Sequence, residues 1–250
     1  MGQTVTVTGM VIRTMPISEY DKRIVILTKE RGKITAFARG ARKPNSSLLA
    51  ATNPFAFGEF ELFEGKSSYN VSKAHIQNFF RELTMDVDKA YLGFYFLEMA
   101  DYYCQENAEE LPMLKLLYQS LRALVSDKFD PGLVRLIYEL KTLSINGEGP
   151  SVFSCMHCGK RENLNFFSVR RGGVFCPKCK EGQSAIPLSE DARYTLQYIA
   201  STPVEKLFTF RLSTEVQEEL IGILKEYVPY YIKHTFKSLG ILEGTDGFSS

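Results

Sequence analysis

The chain has 250 residues, 44% of them apolar and 24% charged, with a formal net charge of +1. This is the composition of an ordinary soluble protein, long enough for one large domain or two to three small ones. No apolar run approaches the ~18 residues of a membrane span, which excludes a chain built on transmembrane helices.

The near-zero net charge conceals an alternation. Residues 1–80 carry 11 basic and 6 acidic side chains, 81–150 carry 7 and 12, 151–186 carry 6 and 2, and 187–250 carry 6 and 9. Such asymmetry is expected when one surface meets a polyanion while the rest keeps the protein soluble. The start, Met1-Gly2-Gln3-Thr4-Val5-Thr6, has neither the basic opening nor the apolar core of a signal peptide, so the expected compartment is a reducing cytosol.

The first 80 residues read as β-structure. Thr4 to Arg13, Arg23 to Thr28, Lys33 to Arg39, Phe55 to Phe63 and Ser68 to Gln77 are β-branched or aromatic runs separated by turn residues. Arg31-Gly32 marks a tight turn between the second and third runs, and Glu64-Gly65-Lys66 another between the fourth and fifth. Five short strands with a longer link, Gly40 to Pro54, after the third suit a small closed barrel of the OB type, with an SH3-like barrel as the competing topology. The barrel region also holds the sharpest concentration of charge. Between Lys22 and Lys43, the cations Lys22, Arg23, Lys29, Arg31, Lys33, Arg39, Arg42 and Lys43 face a single acid, Glu30. Cations lining a groove neutralise phosphates, and Tyr20 and Phe37 are possible stacking faces for bases, although Phe37 could equally point into the barrel. The alternative is a solvated basic face.

From Thr84 the apolar period changes from two to about 3.6. Leu92, Phe96, Met99 and Tyr103 recur at helical spacing, followed by Leu114, Leu117, Leu121 and Leu124, then Leu133, Leu136, Ile137 and Leu140. Asp130-Pro131 is a start signal and Asn146-Gly147 a stop. Cys104, among Met99, Tyr102 and Tyr103, reads as a buried packing residue.

Cys155/Cys158 and Cys176/Cys179 form two Cys-x-x-Cys pairs with 17 residues between them. Zinc takes four thiolates tetrahedrally, and a two-residue spacer lets a tight turn aim two sulfurs at one ion. The expected cofactor is one structural Zn²⁺ in a closed four-cysteine shell; the alternatives are two disulfides or four unrelated buried thiols. Arg170-Arg171-Gly172-Gly173-Val174-Phe175 reads as the tip and return strand of a hairpin between the pairs. Lys160, Arg161, Arg170, Arg171, Lys178 and Lys180 make the ribbon a second cationic element.

Ser189 to Ala200 and Thr214 to Leu239 read as helices, the latter opened by a Thr214-x-x-Gln217 capping box and kinked at Pro229. Val216, Leu220, Ile223, Leu224 and Tyr227 would join the earlier helices, making the ribbon an insertion in one helical domain. The expected divisions are therefore a barrel over 1–80, helices over 81–150 and 187–250, and the ribbon over 151–186. The tail after Leu242 should fray.

Catalytic signals are missing. Gly65-Lys66-Ser67 resembles the end of a phosphate-binding loop, but Phe60 stands where the motif needs glycine. The pattern of the zinc deaminases is absent at His75-Ile76-Gln77 and Phe175-Cys176. His157 reads as an exposed spacer between zinc ligands, and His75 and His234 as structural. The acidic pairs Asp86/Asp88 and Glu109/Glu110 suit helix starts. The chain is expected not to be an enzyme.

Val11-Ile12-Arg13, Glu19-Tyr20-Asp21-Lys22, Leu27 to Lys33 and Ala38-Arg39-Gly40-Ala41-Arg42-Lys43, closing at Pro54-Phe55, resemble the N-terminal barrel of the bacterial RecO recombination mediators. The resemblance continues through the helical middle and the four cysteines to Phe236-Lys237-Ser238-Leu239. It implies an α+β fold: a five-stranded OB barrel, then an α-helical domain with an inserted zinc ribbon. It also implies a non-enzymatic role in recombinational repair, binding single- and double-stranded DNA, annealing complementary strands, and working with RecR to load RecA onto strands coated by single-stranded-DNA-binding protein (SSB). Lys29, Lys33, Arg39, Arg42 and Lys43 are the DNA contacts that it carries over. An acidic C-terminal tail of SSB would bind the helical domain, with Lys115, Arg122, Arg135 and Lys141 as candidate cations. A zinc-ribbon protein acting on RNA or in transcription is the alternative built from the same parts.

Overall fold

A computed structural model describes residues 3–66 and 68–244. Met1, Gly2, Ser67 and most of the tail expected to fray lie outside the described residues.

Five strands, β1 (Gln3–Pro16), β2 (Lys22–Thr28), β3 (Gly32–Ala38), β4 (Phe57–Glu64) and β5 (Tyr69–Asn78), form a closed barrel in the order β1-β2-β3-β5-β4. Neighbours are antiparallel except β3 and β5, which close the barrel in parallel through Ala36 opposite Tyr69. This is the OB arrangement rather than the SH3-like one. Alternation along each strand fills the interior with Val7, Val11, Ile24, Ile26, Ile34, Ala36, Phe60 and Leu62. Gly9 and Gly58 face one another across β1 and β4, and a Cβ at either would strike the backbone carbonyl of Leu27 or His75. Glycine is what permits the strands to close so tightly there.

The link between β3 and β4 holds a single helical turn, α1 (Leu48–Ala51), against β5. Phe55 was expected to begin the fourth strand. Instead its φ is +72° and its buried ring packs at 4.8 Å on Phe94, so pairing starts only at Phe57.

After a short 3-10 turn the chain forms α2 (Val87–Tyr103), capped by Asp86 Oδ1 on the Lys89 N–H at 3.0 Å, and α3 (Leu111–Val125). These helices pack on β1 and β2. Val25 and Leu27 are therefore buried although they lie outside the barrel's interior cluster. The helix α7 (Lys237–Leu242) returns to α2, where Ser238 Oγ donates to Glu98 at 2.9 Å and Phe236 meets the rings of Tyr95 and Tyr102. Cys104 is buried beside α2, as expected, and burial pushes its thiol pKa up.

A second unit runs from Ser126 to Thr235. It holds α4 (Pro131–Ile145), with Asp130 Oδ1 capping the Leu133 N–H and Gly147 at φ +78° just past its end. It also holds α5 (Glu190–Ser201), α6 (Thr214–Tyr231) and a three-stranded sheet ordered β7-β6-β8, in which β6 is Phe166–Ser168, β7 Gly173–Phe175 and β8 Ile186–Pro187. Tyr227 and Tyr231 tie α6 to the ribbon side, donating to the carbonyls of Glu148 and Val169 at 2.9 and 3.1 Å.

Packing thus partitions the helices differently from the single helical domain read from the sequence. α2, α3 and α7 belong with the barrel, and α4, α5 and α6 with the ribbon. Apolar periodicity shows that a helix buries a face, but not which neighbour covers it. The last helical stretch also differs. Ser213 is the cap, one residue before the expected box, and the Gln217 amide donates to Asp130 at 2.6 Å instead. The helix ends two residues past Pro229 and restarts at Lys237, which leaves His234 between the two.

Candidate nucleic-acid interface and candidate metal centre

One end of the barrel joins two connections, the β1–β2 turn and the β3–α1 loop. The Arg42 N–H donates to the Tyr20 carbonyl at 2.9 Å, and Arg42 Nη1 donates to the Ser18 carbonyl at 2.7 Å. Lys43 Nζ lies 5.6 Å over the Tyr20 ring. A neutral carbonyl and a π face orient these cations without cancelling their charge. Arg39, Arg42 and Lys43 are exposed, and Tyr20 is 44% exposed among Met15, Ile17 and Leu49, also exposed. Phe37 resolves outward: it alternates with the interior residues Ala36 and Ala38 and lies opposite Arg23 on β2. Cations and half-exposed rings therefore share this end.

Lys29 and Lys33 do not join them. Lys29 is exposed at the β2–β3 turn, the far end of a seven-residue strand from Arg39, a separation of about 20 Å at the usual rise. Lys33 lies on the outer face of β3, and its Nζ bonds both the carbonyl oxygen and Oδ1 of Asp101 on α2, at 2.5 and 3.1 Å. Arg13 shares that carboxylate at 3.0 Å. Lys33 is thereby withdrawn from the set that the sequence grouped with Arg39. Lys22, in the same basic run, is buried. Its Nζ donates to Leu49 O, Thr52 Oγ1 and Asn53 Oδ1, and burial, then the charge of Arg42, lowers its pKa. Spacing along a strand does not distinguish an exposed lysine from one that caps a loop.

The four paired cysteines come together in the second unit. Their Sγ atoms all lie within 4.8 Å of one another, with Cys158 and Cys176 at 3.8 Å. A tetrahedron with Zn–S near 2.3 Å has edges of about 3.8 Å, so the cluster has the size to hold a metal ion. The five cysteines form no disulfide. Each pair turns as expected: the Gly159 N–H bonds the Cys155 carbonyl, with φ +74°, and the Cys179 N–H bonds the Cys176 carbonyl. Burial opposes ionisation at Cys155, but N–H groups of Cys158, Cys176 and His157 outweigh it and hold the thiol at about 6. Cys179 is pushed up to about 12, by burial first and then by the neighbouring sulfurs. Four thiolates at this distance repel one another unless a cation sits between them. His157 is exposed, and among the described residues no other cluster of Cys, His, Asp and Glu is placed to hold a metal. The hairpin strands β6 and β7 carry the tip Arg170-Arg171 into solvent.

The four candidate partner cations divide between the units. Lys115 and Arg122 are exposed on α3, seven residues apart and so on one face. Arg135 Nε pairs with Glu139 at 2.7 Å. Lys141 is buried, and its Nζ donates to the carbonyls of Ile199, Ala200 and Thr202 at the end of α5. That ammonium completes a helix C-terminus and is not presented to a partner.

Comparison with known proteins gives one answer along the whole length. The family described as "Recombination protein O N terminal" matches residues 1–80, and "Recombination protein O C terminal" matches 85–240. The DNA repair protein RecO of Acetivibrio thermocellus is 30% identical over 95% of this chain and 96% of its own length. That of Symbiobacterium thermophilum is 33% identical over the same shares, and that of Alkaliphilus metalliredigens 29% over 93% and 96%.

Proposed function

The chain belongs to the RecO family of DNA repair proteins, and from that premise we propose that it binds single- and double-stranded DNA and anneals complementary strands. The observation that carries this reading is the barrel end where Lys43 Nζ lies over an exposed Tyr20, Arg42 Nη1 bonds the Ser18 carbonyl of the same turn, and Arg39 is exposed just past β3. Cations there screen two phosphate backbones so that the strands can meet, the ring offers a stacking face, and base pairing supplies specificity. Lys29 contributes a separate contact at the opposite end of the hairpin. No catalytic step is needed.

In this reading the protein works with RecR to place RecA on SSB-coated strands in the cytoplasm, at the nucleoid. Exposed Lys115 and Arg122 on α3 are the candidates left for the acidic SSB tail. Cys155, Cys158, Cys176 and Cys179 would hold zinc, which supplies a cationic centre that fixes the ribbon. The residues themselves orient the two knuckles through the Gly159 and Cys179 N–H groups.

A strand-annealing assay with complementary oligonucleotides, free and SSB-coated, tests the proposal. Acceleration on both substrates is expected. An annealing rate equal to the protein-free rate on both would refute it.

A further inference from the structure

The cationic barrel end is built around an acid. The Asp21 carboxylate lies near enough to Arg39 and Lys43 to feel their charge, a position from which it opposes any polyanion. Its Oδ1 accepts the Gly40 N–H at 2.7 Å, where Gly40 turns with φ +66°. The next residue, Lys22, reaches the far end of the same loop, donating to Leu49 O, Thr52 Oγ1 and Asn53 Oδ1 at 3.2, 3.2 and 2.8 Å. Two consecutive residues thus hold both ends of the segment from Gly40 to Asn53, which carries Arg42 and Lys43. Between the ends, the Arg42 N–H is held by the Tyr20 carbonyl, and the Lys43 N–H by that of Gly40.

We propose that Asp21 and Lys22 are positioning residues that hold Arg39, Arg42 and Lys43 in register with the successive phosphates of a nucleic-acid backbone. This rests on the DNA-binding reading above and sharpens it: arrangement of the cations, rather than their sum, sets the affinity. A loop free to wander must be ordered at each binding event, and that entropy opposes association. The two views predict opposite signs. Charge alone says that removing the Asp21 carboxylate tightens DNA binding; positioning says that it weakens it.

The test uses the full chain and its Asp21→Ala, Asp21→Asn and combined Arg39→Ala/Arg42→Ala/Lys43→Ala variants, titrated against labelled single-stranded and duplex DNA over a salt series. Asp21→Ala is expected to weaken binding by about threefold to tenfold and to flatten the log–log salt slope by roughly 1. Asp21→Asn keeps an oxygen for the Gly40 N–H, and is expected to bind at least as tightly as the parent. Should Asp21→Ala fail to fold, Asp21→Ser, whose hydroxyl is too short to reach Gly40, takes its place. Tighter or unchanged binding by the folded Ala or Ser variant overturns the proposal, as does equal weakening by Asn. A triple variant that binds like the parent overturns the placement of the DNA site at this barrel end, and the positioning role with it; a parent that binds neither DNA overturns the DNA-binding reading itself.

Discussion

The ammonium of Lys33 bonds both the side chain and the carbonyl oxygen of Asp101, joining β3 to the C-terminal turn of α2. Arg13 pairs with the same carboxylate. A cation in the middle of the basic run is therefore part of the packing between the barrel and a helix. Replacing Lys33 with Ala should leave the salt slope of DNA binding unchanged while lowering stability by about 1 kcal/mol. Urea denaturation alongside a DNA titration checks both halves. A flattened slope at unchanged stability would return Lys33 to the interface.

Arg39, Arg42 and Lys43 share the other end of the barrel, where among the described residues no carboxylate bonds their side chains directly. Changing all three to Ala should weaken binding about equally across DNA sequences, because phosphates carry no sequence information. With about three phosphates released, the duplex salt slope should become shallower by roughly 2 to 3. Anisotropy titrations on several unrelated sequences measure this. A variant that lost affinity for only one of them would argue for base readout instead.

The four clustered sulfurs should bind about one zinc ion per chain. Cys155→Ser is expected to lose the metal and to loosen the ribbon, since its Sγ also accepts the Cys176 N–H. Elemental analysis and limited proteolysis of residues 152–187 report the two effects. Thiol titration adds a control. Chelation should release four reactive cysteines, whereas burial raises the Cys104 pKa and keeps its thiolate fraction small near pH 8 until the barrel unit unfolds. A folded wild-type protein that contains no metal after purification under metal-replete conditions would falsify the assignment.

Lys141 donates to three carbonyls at the end of α5 from a side chain of a residue only 8% exposed. Lys141→Met should cost about 2 to 3 kcal/mol, because those acceptors lose a charged donor inside the protein. Chemical denaturation measures it. A loss below about 0.5 kcal/mol would show that water satisfies the carbonyls equally well.

Much of the architecture could be read from local pattern. Alternation at Val5, Val7, Ile24, Ile26 and Ile34 marked the barrel strands. Asp130-Pro131 and Asn146-Gly147 bracketed α4 to within a residue. The Cys-x-x-Cys pairs announced their cluster because a tight turn is enough to aim two thiols at one point. Each of these depends on neighbours within a few residues, so the amino-acid order alone determines them.

The fate of the charges did not follow in the same way. Lys22, Lys29, Lys33, Lys43 and Lys141 are alike as letters. In the fold one holds a loop, one joins a strand to a helix, two face solvent and one closes a helix end. A lysine's role is set by what lies within reach of a flexible four-carbon stem, and those partners come from residues 27 to 68 positions away. The sequence by itself determined the barrel, the helices and the cysteine pairs. Only the tertiary structure decided which cations remain available to a polyanion, because burial and pairing depend on contacts between distant segments.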